Sequence, residues 1–190
     1  MDEPTNIITQ SNNPIFGVYN TTTGGSSKPS SSGAGACQYP STEDPVEAID
    51  NMLATKYTNF GSGKSGVSSA TKGVGTGFYV IPSNGPSVLN GFQFATANKL
   101  PLSNPLTVTI EGSNLPALSL TSGSSWTLLY NGPTGIPNTD PGRNVYCSAQ
   151  AINNTNAYSS YRLLITSQLG SDTNVQYAEI HLLGYFPGGN

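Results

Sequence analysis

The chain has 190 residues, 9% of them charged, with seven Lys and Arg against ten Asp and Glu and a net charge of −3. That length suits one sandwich or barrel domain, and the charged fraction lies far below the ~25% of an average soluble protein. There is no basic stripe through which counterion release on nucleic acid would act, and no apolar run approaches the roughly 18 residues of a membrane span.

Residues 1–12 read as a tail and 13–186 as a single domain. The start, Met1-Asp2-Glu3-Pro4, has neither a basic n-region nor an apolar h-region, so no signal peptide is read; either one was removed or the chain is cytosolic. The apolar run 14–19 predicts a first strand. Residues 21–36 are Thr, Ser and Gly with one Lys and one Pro, the composition of a flexible loop. Ser41-Thr42-Glu43-Asp44-Pro45 combines a capping hydroxyl, early acids and a proline, and predicts a short helix or turn over 46–52. Strands are predicted over 77–81, 88–95 (Phe92 and Phe94 on one face), 106–111, 126–130, 145–152, 160–166 (Tyr161, Leu163 and Ile165 on one face) and 175–183. In the last, Ala178, Ile180 and Leu182 share one face, and Tyr177, Glu179, His181 and Leu183 the other. Residues 187–190 form a C-terminal tail. Short strands parted by Gly, Pro, Asn and Ser turns, without alternating helices, predict an all-β fold: an antiparallel β-sandwich (jelly roll) with at most one or two short helices.

Cys37 and Cys147 are the only thiols. With His181 the sole imidazole, four zinc ligands cannot be assembled, which leaves two free thiols or one disulfide. The expectation is a Cys37–Cys147 bridge, closing a loop on the order of a hundred residues and worth roughly 4–5 kcal/mol. Asn20-Thr21-Thr22 and Asn153-Asn154-Thr155 make Asn20 and Asn153 candidate N-glycosylation sites and lean toward secretion. Catalytic patterns fail on inspection. Gly61-Ser62-Gly63-Lys64-Ser65 lacks the leading glycine of a phosphate-binding loop, because position 58 is Thr58. Gly73-Val74-Gly75-Thr76-Gly77 has its third glycine one place early for a dinucleotide fingerprint. There is no G-x-S-x-G elbow, and the only histidine sits mid-strand. The chain reads as not an enzyme.

One pair of segments is informative. The run Glu47-Ala48-Ile49-Asp50-Asn51-Met52-Leu53-Ala54-Thr55-Lys56-Tyr57 resembles the A-I-D-G-N-x-x-T-x-W signature of galactose-binding-like domains, the superfamily of discoidin and coagulation-factor C-type domains and of carbohydrate-binding modules. Tyr177-Ala178-Glu179-Ile180 resembles the Ala-Glu-Ile strand that closes that fold. Gly91-Phe92-Gln93-Phe94, Thr109-Ile110-Glu111-Gly112, Trp126-Thr127-Leu128-Leu129 and Tyr161-Arg162-Leu163 follow in the expected order, so the resemblance runs from about residue 13 to 184. It implies a structural calcium ion where the first and last motifs meet. The implied ligands are the Glu47 carbonyl, the Asp50 carboxylate, the Met52 carbonyl, the Thr55 carbonyl and hydroxyl, the Ala178 carbonyl and the Glu179 carboxylate. Asn51 stands for the usual glycine and Met52 for the usual asparagine. Asn tolerates the left-handed backbone, and Met52 offers only its carbonyl. Tyr57, at the usual tryptophan, and Trp126 read as packing.

The resemblance implies a non-catalytic binding module, extracellular or at a cell surface, that recognises carbohydrate through loops at one end of the sandwich. Sugar sites combine aromatic faces with amide, hydroxyl and guanidinium groups. In the predicted loops 57–66, 97–104, 130–144 and 153–158 the residues of those types are Asn59, Phe60, Asn98, Lys99, Arg143 and Tyr158. The alternative is a self-associating subunit of an extracellular fibre, matrix or coat, whose apolar terminal strand completes a neighbour's sheet.

Overall fold

The computed structural model describes residues 6–62 and 66–188; part of the Gly61-to-Ser65 run lies outside them. In chain order the strands are β1 (Asn6–Ile7), β2 (Ile15–Val18), β3 (Ser31–Ser32), β4 (Gln38–Tyr39), β5 (Tyr57–Asn59), β6 (Gly77–Val80), β7 (Ser87–Ala95), β8 (Pro105–Ser113), β9 (Thr127–Pro133), β10 (Gln150–Ala151), β11 (Ala157–Tyr158), β12 (Ser160–Gln168), β13 (Val175–Tyr177) and β14 (Glu179–Tyr185). One sheet runs β1-β14-β7-β10, with β11 also on β7; the other runs β2-β6-β12-β8-β9, and small pairs β13-β5 and β3-β4 stand beside them. Among the described residues helix is limited to 3-10 turns of three or four residues.

The sandwich follows from alternation. Phe92 and Phe94 of β7, Ile180 and Leu182 of β14, Phe78 and Val80 of β6, Val108 and Ile110 of β8, and Tyr161, Leu163 and Ile165 of β12 form one core. Each large apolar side chain buried this way contributes about 1.5–3 kcal/mol. Edge-to-face contacts order the rings, with Phe94 and Tyr177 centroids 5.2 Å apart and Tyr177 and Tyr57 5.7 Å apart. Tyr57 is fully buried and donates to the Gly77 carbonyl.

Four predicted segments differ from the structure. Segment 145–152 runs along β7 but only Gln150–Ala151 form a strand. Tyr146 opposes Ala95 while Gln150 opposes Phe92, so four steps on one side meet three on the other, and the extra residue is a bulge that breaks the ladder. The predicted strand 175–183 breaks at Ala178: β13 pairs with β5 and β14 with β7, so the chain changes partner sheet there. Residues 57–59, read as loop, form β5. The short turn spans Pro45–Ala48 and is capped by Asp44, whose carboxylate accepts from the Val46 amide, and not by a hydroxyl.

The Thr/Ser/Gly segment is pinned where its composition predicts flexibility. Glu111 and Arg162 are opposite one another on β8 and β12, both fully buried, with Nε 2.7 Å from Oε2. Glu111 Oε1 accepts from the Gly24 amide, and Arg162 donates to the Gly25 carbonyl and the Ser27 hydroxyl. The guanidinium lies 4.7 Å from the Trp126 ring. Val18, Tyr79, Leu120, Trp126 and Leu164 make a second small core on this outer face, and the segment covers it.

Cys37 and Cys147 are free thiols, which overturns the expected disulfide. They are held in different neighbourhoods: the Cys37 amide donates to the Gly61 carbonyl, and the Cys147 amide to Phe94 on β7. Asn20 and Asn153 are both exposed.

Removing one partner of a buried ion pair strands the other charge. Glu111→Ala is therefore expected to destabilise the domain by about 3–5 kcal/mol and to expose the 21–27 segment to protease. An unchanged urea midpoint contradicts the role assigned to the pair.

Candidate functional site

The two informative motifs meet where the turn after Pro45–Ala48 abuts the start of β14. Ile49 anchors the turn in the core. Asn51 has φ 64°, the left-handed conformation a glycine would otherwise supply. Asp50 closes the turn on itself: Oδ1 accepts from the Met52 amide at 2.9 Å and Oδ2 from the Thr55 hydroxyl at 2.7 Å. That hydroxyl is also 2.9 Å from the Met52 carbonyl. From β14, the wholly buried Glu179 presents Oε1 to the amides of Asn51 (2.6 Å) and Met52 (3.2 Å). Its Oε2 is buried without a hydrogen-bond partner among the described residues and stands 3.6 Å from His181 Nε2.

This is a crowd of acids with too little positive charge. Burial pushes the Glu179 carboxyl up to about 8; Asp50 adds to the rise and the two turn amides oppose it. Glu47 is raised too, by burial first and then by Asp50. An orphaned buried carboxylate oxygen beside a turn rich in carbonyl and hydroxyl oxygens fits a hard cation, which takes about six to eight oxygens. Among the described residues no three His, Cys, Asp or Glu side chains close on one point as a metal site, so backbone carbonyls and Thr55 would have to supply most of the shell.

The ligand-contact candidates do not form one site. Asn59 is buried outright, its amide donating to the Val18 carbonyl and the Tyr57 hydroxyl, which removes it from any surface. Tyr158 is partly buried against the core, over Gly112, where an added Cβ would meet its ring at 2.5 Å. It opposes Ser87, whereas Glu179 opposes Ala95; eight residues of β7 separate those ends, about 26 Å. Phe60 is half-buried in a pocket with Ser32 and Pro40. Asn98, Lys99 and Arg143 do converge, as a clamp. Arg143 donates to the carbonyls of Ala97 and Lys99 and to Asn104 Oδ1, pairs with Asp140, and so ties 97–104 to the 134–148 loop. Asn98 Oδ1 accepts from Lys56.

A further pair escaped the sequence reading. Tyr146 and His181 lie with ring centroids 4.9 Å apart at 34°. His181 Nε2 is 3.1 Å from both the Tyr146 hydroxyl and Asn51 Oδ1. Tyr146 is 37% exposed. One cavity of about 290 Å³ on the His181 side reaches Thr9, Asn51 and Glu179, and another of about 490 Å³ on the Tyr146 side reaches Pro137, Pro141 and Ser148. The signal present in sequence was the outward position of His181 on an alternating strand; its partner came from a bulged segment that alternation cannot place.

No protein-family model matches the chain, and no curated protein matches it in sequence. Solved structures do match in fold. A CBM32 module from a family 31 glycoside hydrolase of Clostridium perfringens aligns with TM-score 0.56 at 12% identity, over 77% of this chain and 85% of that one. The family 32 carbohydrate-binding module of Clostridium perfringens NanJ, in complex with galactose, gives 0.52 at 10% identity, over 76% and 88%. A Clostridium perfringens CBM32 module in complex with GalNAc-β-1,3-galactose gives 0.50 at 12% identity, over 76% and 91%.

The raised Glu179 carboxyl sets a pH dependence. Freed of divalent cations, the folded protein binds a proton at Glu179 that the unfolded chain releases above about pH 4.5. Its contribution is whole below pH 4.5 and is lost as pH rises toward 8. Melting temperatures across that window should fall for the cation-free wild type and fall less for Glu179→Gln; equal slopes would contradict the assignment.

Proposed function

Because the chain has the galactose-binding-like fold, we propose that it is a non-catalytic carbohydrate-binding domain acting outside the cell, with calcium stapling one end of its sandwich. The observation that carries the reading is the meeting of the 47–55 turn with Glu179 in a fold whose solved neighbours are sugar-binding modules. Fold alone does not assign function; the chemistry of the surface supports it. Asn, Ser and Thr far outnumber the charged residues, and neutral hydroxyl-rich ligands are matched by amides and hydroxyls.

The cation would be held by the carboxylates of Glu179 and Asp50, the carbonyls of Glu47, Met52, Thr55 and Ala178, and the Thr55 hydroxyl. Calcium supplies the positive charge that the acids lack, and no reaction is asked of it. The turn then holds the 49–52 backbone against β14. The alternative of strand exchange between copies finds less support. The apolar strand β2 already pairs with β6, Ser30 bonds to Gly17 on its outer edge, and β1 pairs with β14.

Two outcomes are expected. Chelation should lower the melting temperature, and Asp50→Ala should abolish that dependence; a chelator that leaves the wild-type curve unmoved contradicts the staple. An array of plant, animal and microbial glycans should yield hits with dissociation constants of roughly 0.01–1 mM. No hit on any glycan by the calcium-loaded protein overturns the carbohydrate reading.

A further inference from the structure

The Tyr146–His181 pair lies on the outer face of the β1-β14-β7-β10 sheet. His181 is opposite Gln93 on β7, and both are half-buried. The Tyr146 ring belongs to the bulged segment beside β7, which brings it over β14. Three features of this place exceed what folding requires. Tyr146 is an exposed aromatic ring held in one orientation by a ring contact and a hydrogen bond. Two cavities adjoin the pair, the first lined by His181 and the second by Tyr146. Thr9, 4% exposed, lines the first cavity, and its buried hydroxyl has no hydrogen-bond partner among the described residues.

Resting on the carbohydrate-binding reading above, we infer that an uncharged oligosaccharide lies across this sheet face, one sugar ring on Tyr146 and its neighbours in the two adjoining cavities. A stiff, pre-positioned aromatic ring is the least entropically costly platform for the apolar face of a sugar. The bonding capacity around it is incomplete. His181 Nε2 carries either one hydrogen or one lone pair, so it cannot fully serve both Asn51 and Tyr146, and one of them keeps a hydrogen bond for a ligand. Thr9 has both a donor and an acceptor to offer, and a buried hydroxyl left unpaired is unfavourable. The second cavity holds no ionisable side chain except the Tyr146 phenol and the Cys147 thiol, which burial pushes up. In the first cavity Asp50 and Glu179 are turned to the 50–55 turn, and its described lining has no Lys or Arg to pair with an anionic sugar. Volumes of about 290 and 490 Å³ sit at the low end of ligand sites, about 300–1,000 Å³, and each suits one sugar unit better than a whole chain. The ligand is therefore extended, with the ring pair as its middle contact.

The test starts from any neutral oligosaccharide found on the glycan array, titrated calorimetrically into the calcium-loaded domain. Affinity should rise from the monosaccharide to the trisaccharide, and acidic oligosaccharides of the same length should bind more weakly. Tyr146→Ala should weaken trisaccharide binding by about tenfold, Tyr146→Phe should retain most of it, and Lys28→Ala, an exposed residue of the segment over the other sheet, should leave it unchanged. Melting curves and calcium uptake establish that each variant is folded. If Tyr146→Ala binds as the wild type does, or if monosaccharide and trisaccharide bind equally, the groove is wrong and carbohydrate binding stands. If only acidic glycans bind the wild type, the groove is wrong and carbohydrate binding stands; if no glycan binds, both fall.

Discussion

A carboxylate buried without a counter-charge organises one end of this molecule. Glu179 begins β14 immediately after the chain leaves β13 at Ala178, so the strand's change of sheet carries an acid into the interior. One of its oxygens is satisfied by the amides of Asn51 and Met52, which fixes the 49–52 turn against the sheet. The other is buried without a hydrogen-bond partner among the described residues. An ionised carboxylate in that setting must acquire a proton or a cation. The proposed calcium is the second of these, met by the turn's own oxygens, which Asp50 and Thr55 draw together.

The rest of the sandwich is arranged so that this end stays rigid. Interleaved rings fill the core, and the opposite sheet is sealed on its outside by the Glu111–Arg162 pair and the segment it holds. Such a pair contributes less net stability than its geometry suggests, because both charges are desolvated; its effect is to specify where residues 24–27 lie. The Arg143 clamp does the same for the loops that follow β7 and β9. Several of the few charged groups are spent on such internal ties.

Much of the fold was legible from alternation. The strands at β6, β7, β8 and β12 lie where period-two patterns placed them, because each has one face in a common core. The turn at Asp50 and the acid at Glu179 were legible as a matched pair of motifs. The remainder was hidden for physical reasons. The Tyr146 segment alternates like a strand, yet one extra residue against β7 breaks its ladder. The 21–36 segment has a flexible composition, yet Gly24, Gly25 and Ser27 serve a buried ion pair some eighty to one hundred and forty residues away. Asn59 looked like a loop residue open to a sugar, and its amide is consumed by the Val18 carbonyl and the Tyr57 hydroxyl; Arg143, a quarter exposed, gives part of its guanidinium to the Ala97 and Lys99 carbonyls. Residue type does not reveal whether a polar group faces water or an internal partner. Cys37 and Cys147 suggested a bridge by number alone, and the fold holds them apart.

A crystal structure of the domain grown with calcium separates the two states of Glu179. With calcium bound, a peak of electron density, anomalous at long wavelength, lies within about 2.3–2.6 Å of the Glu179 and Asp50 carboxylates and the carbonyls of the turn. A water in that place, or Glu179 and Asp50 sharing a proton across a short oxygen–oxygen contact, would contradict the proposed calcium site.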